Sequence, residues 1–330
     1  MARITAAFGS SHSTMQFSRV ENWHKLFDYI DRNVPIHDYE GGVHAFDDLL
    51  KTLPPDAAQK LAPKLIAERH AATFRAMDRL RAEVQAADID VMIIVGDDQR
   101  EIFGDDCRPA IGIFYGETIR NPAKPVQPPP AEHWYRWDQI QRLEDGEDRH
   151  YPCHPALGAH LIRGLTDHGF DITAIQSLPP EKFEGHAYSF IHKRYIEGRT
   201  LPVVPIFLNT YFPPNQPTPA RCRELGARIR ELVASFPGDL KVGLMASGGL
   251  SHFMVNEDLD AKVIAAIRAK DMATLESLPP HWLESGSSEI RNWICVTEAA
   301  IDLGIDWIEY VPAYRSSALT GVGLCFARWS

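Results

Sequence analysis

At 330 residues, 45% hydrophobic and 24% charged, the chain can bury a large core and reads as a soluble globular protein. A formal net charge of −10 with no basic stripe excludes a nucleic-acid binder of the usual electrostatic kind. No apolar run approaches the roughly 20 residues of a membrane span. The opening Met1-Ala-Arg-Ile carries no secretion-type apolar core, and five scattered cysteines lack any Cys-x-x-Cys pair, so reduced thiols in a cytoplasm are expected.

Residues 3–8 read as a first strand, ending at a Gly9-Ser-Ser turn that presents His12. Residues 20–90 are predicted to be mostly helical, an insert or cap after that strand. From Pro63 to Ala87 the residues Ala71, Phe74, Met77, Leu80 and Val84 recur as one apolar stripe. His37, His44 and His70 lack ligand-like spacing and are read as surface or packing residues. Ile89–Val95 is the strongest strand signal, a nearly continuous β-branched run typical of a central strand covered on both faces. It ends in Gly96-Asp97-Asp98-Gln99, where acidic residues suit a metal or substrate site as well as an ordinary turn.

Ala110–Tyr115 is a further strand, and the Pro-rich stretch from Asn121 to Pro130 must be irregular, since proline continues neither ladder. Trp134, Tyr135 and Trp137 line a mouth or cover core. A helix runs from His154 to about Asp167, a strand covers Phe170–Ala174, and Gly185-His186 opens a short helix. Leu201–Leu208 is an apolar strand ending at Asn209-Thr-Tyr211. A helix over Ala220–Phe236 leads to the strand Leu240–Met245, which stops at Ser247-Gly-Gly and presents His252. Two helices follow, one near Leu259–Arg268 and one beginning at Ser287-Ser-Glu289 with Ser287 as N-cap. The tail reads as a turn around Arg315 and a closing strand over Gly321–Phe326. Strands alternating with helices give an α/β fold, a central mixed or parallel sheet flanked by helices, as one domain over residues 1–330.

Chemistry concentrates where strands end. His12, His186, His252 and Glu289 each lie just past a strand or at a helix start, which is what a metal site built from distant segments requires. No Gly-x-Gly-x-x-Gly, Walker loop or Gly-x-Ser-x-Gly elbow offers a competing cofactor or nucleophile site.

The ordered set Ser10-Ser-His12, Val95-Gly-Asp-Asp-Gln99-Arg-Glu-Ile-Phe103, His154-Pro-x-Leu-x-x-His160, Gly185-His186, Asn209-Thr-Tyr-Phe-Pro-Pro, Ser247-Gly-Gly-Leu-Ser-His252, Glu284-Ser-Gly-Ser-Ser-Glu289 and Val311-Pro-Ala resembles the class III extradiol ring-cleavage dioxygenases, the superfamily of the protocatechuate 4,5-dioxygenase beta subunit. The resemblance implies a non-haem Fe(II) that cleaves a catechol with O₂. It implies His12 as the first histidine ligand, Glu289 as the glutamate ligand, His252 as the catalytic acid/base, and His186 as a second catalytic histidine near substrate or O₂. At the remaining ligand the family reads Asp-His with Phe four residues later, whereas this chain reads Asp98-Gln99 with Phe103. Gln99 therefore stands in the histidine's place as metal ligand, with Asp98 or Asp97 as alternative oxygen donors. A branch resembling 3-O-methylgallate dioxygenases carries a similar Asp-Gln.

The implied substrate is a carboxylated, lignin-derived aromatic such as 3-O-methylgallate, gallate or protocatechuate. Arg315 is the candidate for its carboxylate, and Tyr211 and Asn209 are candidates for the pocket wall. The alternative is a catalytically altered relative acting as a metal-binding or interaction protein, favoured by Gln99; a metal-dependent hydrolase ranks third. A homo-oligomer, such as a dimer, is expected, the helical insert acting as a lid in place of the small helical subunit found in some members.

Overall fold

Eight strands form one mixed sheet in the computed structural model, which describes residues 1–330. In chain order they are β1 (Arg3–Ser10), β2 (Val91–Asp97), β3 (Ile111–Phe114), β4 (Thr173–Ile175), β5 (Val203–Leu208), β6 (Lys241–Ser247), β7 (Ile305–Tyr314) and β8 (Gly321–Trp329). They lie in the order β7-β8-β1-β6-β2-β5-β3-β4. The central strands β1, β6, β2 and β5 are parallel, so their C-terminal ends share one edge, where α/β sheets place their reactive groups. The outer strands turn antiparallel at β8 and at β3.

Side-chain alternation divides the core into two layers. From β2, Val91, Ile93 and Val95 pack on one side with Leu225 and Ile229 of α5 (Pro219–Ser235) and Trp293 of α7 (Ile290–Ala299). Met92 and Ile94 face the other side. There they meet Met77, Leu80 and Val84 of α2 (Pro63–Ala86), Trp23 of α1 (Trp23–Asp31), and Phe190 of α4 (His186–Ile191). Burial on both faces explains the unbroken apolar run of β2. The remaining long helices are α3 (Pro155–Asp167) and α6 (Glu257–Ala269). The Thr218 hydroxyl accepts from Arg221 N and Asn256 Oδ1 from Leu259 N, so α5 and α6 start on side-chain caps.

Several expectations need correction. The segment read as a turn before Arg315 is the ten-residue β7, paired antiparallel with β8; Pro312 within it hid the strand. Ser287 does not cap α7. A 3₁₀ turn over Ser285–Glu289 precedes that helix, and the Ser287 hydroxyl bonds the backbone of His252 instead. The buried stripe of α2 is Ile66, Thr73, Ala76, Met77, Leu80 and Val84, with Ala71 exposed and Phe74 stacked on His70. The insert also holds a two-residue hairpin, Ile36–His37 with Val43–His44.

The insert serves two ends. Its long helix α2 is a structural layer against the sheet, while α1 reaches the C-terminal edge. α1 is locked to the β7–β8 hairpin by Asp31, at its end, whose carboxylate takes a bidentate pair from Arg315 (3.1 and 2.8 Å) and a bond from the Thr320 hydroxyl, all fully or nearly fully buried. Removing one partner strands a buried charge. Asp31→Ala is expected to lower the unfolding free energy by about 3–5 kcal/mol in urea titrations. The Asp31→Leu/Arg315→Met double variant is expected to recover most of that loss.

Candidate active site

At the C-terminal edge, β1, β2 and β6 each hand over one polar group: His12 two residues past β1, Asp97 as the last residue of β2, and His252 on the turn after β6. Glu289 enters from the start of α7. His12 Nε2 lies 3.5 Å from Glu289 Oε1 and 3.7 Å from Asp97 Oδ1. Ligands about 2.1 Å from a metal and at right angles stand about 3 Å apart, so these two separations need to shorten by roughly half an ångström or a little more. His12 Nε2 and Asp97 Oδ1 are both buried without any hydrogen-bond partner. Buried polar atoms are rarely left so, and one cation satisfies both. A nitrogen and carboxylate oxygens suit a borderline-to-hard divalent ion.

The tautomer of His12 follows from its neighbours. Ser247 Oγ donates its single hydrogen to Ala187 O at 2.7 Å, so it must accept from His12 Nδ1, 2.9 Å away. The Nε2 lone pair is thereby left facing the two carboxylates, the arrangement of a metal-bound histidine oriented by a hydrogen-bonded neighbour. Burial and then the neighbouring Glu289 push the Asp97 carboxyl up to about 6. Burial also acts to raise Glu289, but His252 and His12 outweigh it and hold that carboxyl well below its usual range.

His186 closes the group. A ring nitrogen of His186, one of His12 and an Asp97 oxygen lie within 4.8 Å of one another, and the two imidazoles meet edge-on at 4.5 Å. Its Nδ1 and backbone N both approach Glu101 Oε2, at 2.5 and 2.8 Å. Burial pulls the His186 imidazole down, yet Glu101 prevails and raises it to about 9. Glu101, pushed up by burial but held by His186 and Arg142, falls to about 2.

His252 is fixed from several directions. Its Nδ1 donates to Leu250 O at 2.9 Å, its Nε2 lies 3.2 Å from Glu289 Oε1, and its backbone N donates to Ser287 Oγ. Gly286 is required beneath the ring, since a Cβ there would stand 1.8 Å from His252 Cδ2. Burial lowers the imidazole pKa, but Glu289 overrides it and the net shift is upward. Asp260 of α6, fully buried, anchors the preceding residue by accepting from Ser251 N and Oγ at 2.8 and 2.7 Å, and takes a third bond from Tyr310.

The other sequence candidates are dispersed. The Gln99 amide nitrogen lies 3.3 Å from Asp97 Oδ2 and 3.5 Å from Glu289 Oε1, donating to the carboxylates. Asp98 turns away and accepts from the backbone N of Arg100, Ile102 and Phe103, so it caps its own loop. Asn209 is likewise spent on its turn, bonding Phe212 and Asn215, and Tyr211 bonds Ser285; neither lines the cavity. Arg315 does line it, with its guanidinium already paired to Asp31 and held between the rings of Phe27 and Phe253.

His12, Gln99, His186, His252 and Glu289 line a cavity of about 340 Å³, with Asp97 buried behind them. Phe17, Phe190 and Phe253 also line it, as do Phe27 and Ile30 of α1 and, from the segment after the Pro-rich loop, Gln139 and Arg142. Tyr29 and Tyr135, their rings 4.5 Å apart, join α1 to that segment. Sequence reasoning passed over Glu101 and Arg142. Glu101 sat inside the quoted Gln99–Phe103 motif, whereas Arg142, following the Pro-rich loop, gave no local signal.

An α/β sheet with a buried histidine–carboxylate cluster at its parallel edge defines a candidate metalloenzyme. Residues 126–284 match the family described as the catalytic LigB subunit of aromatic ring-opening dioxygenase. A 115-residue stretch is 30% identical to gallate dioxygenase of Pseudomonas putida, covering 33% of this chain and 32% of that protein, so the match spans about a third of the relative's length. Over these stretches the chain is similar to aromatic ring-opening dioxygenases. The family match contains Arg142, His186 and His252, and stops five residues before Glu289.

Asp260 supplies a pH test of how the His252 turn is held. Its carboxyl is raised from 3.8 to about 6, chiefly by burial, so the folded state binds this proton more tightly than the unfolded one. Its stabilising contribution is full below about pH 3.8 and is lost as pH rises through 6, about 3 kcal/mol in all. Asp260→Asn does not titrate. The wild-type-minus-variant difference in unfolding free energy is therefore expected to fall steadily between pH 4 and 6 and to be flat above pH 7.

Proposed function

We propose that this protein is a non-haem Fe(II) dioxygenase that opens the ring of a catechol beside its diol. Two buried and unpartnered atoms support the reading most directly, His12 Nε2 and Asp97 Oδ1, which lie 3.7 Å apart, His12 in the wall of an aromatic-lined cavity that two further histidines also line and Asp97 behind it. The metal would be held by His12, Asp97 and Glu289, with Gln99 steadying the carboxylates rather than coordinating. When bound, Fe(II) would supply a Lewis acid that gathers and acidifies the ring hydroxyls and gives O₂ a place to react.

The chain's own groups do the rest. His252, with Nδ1–H committed to Leu250 O, presents Nε2 to the cavity, where it takes a hydroxyl proton and later returns it. His186, its Nδ1 anchored on Glu101, turns its other ring nitrogen toward the cluster and donates to a substrate or dioxygen oxygen. Phe17, Phe27, Phe190 and Phe253 pack the ring and exclude water. The reading extends to a carboxylated, lignin-derived ring of the gallate or protocatechuate kind as substrate, and to a homo-oligomeric assembly.

Anaerobically Fe(II)-loaded protein is expected to consume O₂ with at least one of 3-O-methylgallate, gallate, protocatechuate and catechol, and His252→Ala to lose at least 10²-fold in rate, the usual scale for a general acid–base. Stoichiometric iron with no O₂ uptake would favour the second reading, a metal-binding relative without turnover, to which the glutamine in a histidine's place lends weight. Metal affinity separates the candidate ligands. Asp97→Asn is expected to weaken Fe(II) binding roughly 10–100-fold and Gln99→Ala much less; the reverse order would make Gln99 the ligand.

A further inference from the structure

Two arginines reach the cavity wall, and their surroundings differ. Arg315 is matched one-to-one with Asp31 in a bidentate pair, lies between Phe27 and Phe253, and its side chain is only 4% exposed. Its charge is neutralised and both faces are covered, so little of it remains for a ligand. Arg142 shares its carboxylate. Nη2 donates to Glu101 Oε1 at 3.0 Å and Nη1 to Gln139 O at 2.7 Å, while the other Glu101 oxygen serves the backbone and ring of His186. Arg142 lines the cavity with its side chain 21% exposed, against 4% for Arg315, so its guanidinium is the one open to a ligand.

Position adds to this. Glu101 bridges His186 and Arg142, so the guanidinium stands one carboxylate's width beyond His186 and bonds no member of the triangle of His12, Asp97 and Glu289. A ring whose diol lies over that triangle would direct a substituent on its far side toward Arg142. We propose that Arg142 is the specificity-determining residue of this site, its guanidinium receiving a carboxylate carried by the ring at the end remote from the metal ligands. Glu101 is then a positioning residue that sets both His186 and Arg142. The inference rests on the ring-cleavage reading and replaces Arg315 with Arg142 as the carboxylate's partner.

Gallate and pyrogallol differ only by the carboxylate, so they isolate it. Calorimetric binding of each to the full Fe(II)-loaded chain, kept free of O₂, is the test. Wild type is expected to bind gallate at least tenfold more tightly than pyrogallol. Arg142→Gln is expected to weaken gallate roughly 10–100-fold, to the pyrogallol level, with pyrogallol unchanged and Arg142→Lys recovering part of the loss. Unaltered pyrogallol affinity shows in the same experiment that the variant is folded with an intact metal site. Equal wild-type affinities, an equal loss for both ligands in Arg142→Gln, or no loss for gallate would overturn the assignment while leaving ring cleavage standing. Binding of neither compound to wild type would sink the ring-cleavage reading, and the inference with it.

Discussion

Two carboxylates buried side by side govern this molecule. Asp97 and Glu289 are almost wholly removed from water and share the same histidine nitrogen as neighbour, and each acts on the other through a medium that screens poorly. Such a pair is tolerable only with positive charge between or around it. The fold supplies part of this through His252, and leaves His12 Nε2 and Asp97 Oδ1 without partners, beside a point that a divalent ion would occupy. The arrangement is held rigidly. Ser247 sets the tautomer of His12, Leu250 and Ser287 set the ring and backbone of His252, and Gly286 is the only residue whose size lets that ring lie where it does.

Around this floor the chain builds a roof from segments that do not belong to the sheet. The first helix of the insert and the segment following the Pro-rich loop both line the cavity, and Tyr29 against Tyr135 ties them together. The insert is not a loose cap. Its long helix is part of the second core layer, and its short helix is bound to the β7–β8 hairpin by the buried Asp31–Arg315 pair. An arginine that looks free in the sequence is thus spent on architecture, whereas one with no motif around it stands at the cavity with bonding capacity left.

Much of the fold was legible because its signals are local. The unbroken apolar β2, the helical spacing of α2, and the Gly-rich turn before His252 depend on neighbours close in sequence, and each element lies within a few residues of its expected place. The β7 strand was missed because Pro312 and the polar residues around it mask a ladder that exists only through β8. The stripe of α2 was rotated, since the face a helix buries is chosen by the sheet it meets and not by the helix alone.

The sequence by itself determined the α/β alternation and the residues that strands deliver to their C-terminal ends, because period and turn chemistry are written along the chain; that the sheet is mixed rather than parallel came from the pairing. Which of those residues share one point in space was decided only by the tertiary structure. Asp97, Asp98 and Gln99 are adjacent and chemically interchangeable as oxygen donors, yet strand pleat sends Asp97 inward, a backbone turn consumes Asp98, and Gln99 lies against the carboxylates. The same holds for Arg142 and Arg315, whose roles depend on partners 41 and 284 residues away. Burial and pairing of charge are properties of three-dimensional neighbours, and no local pattern records them.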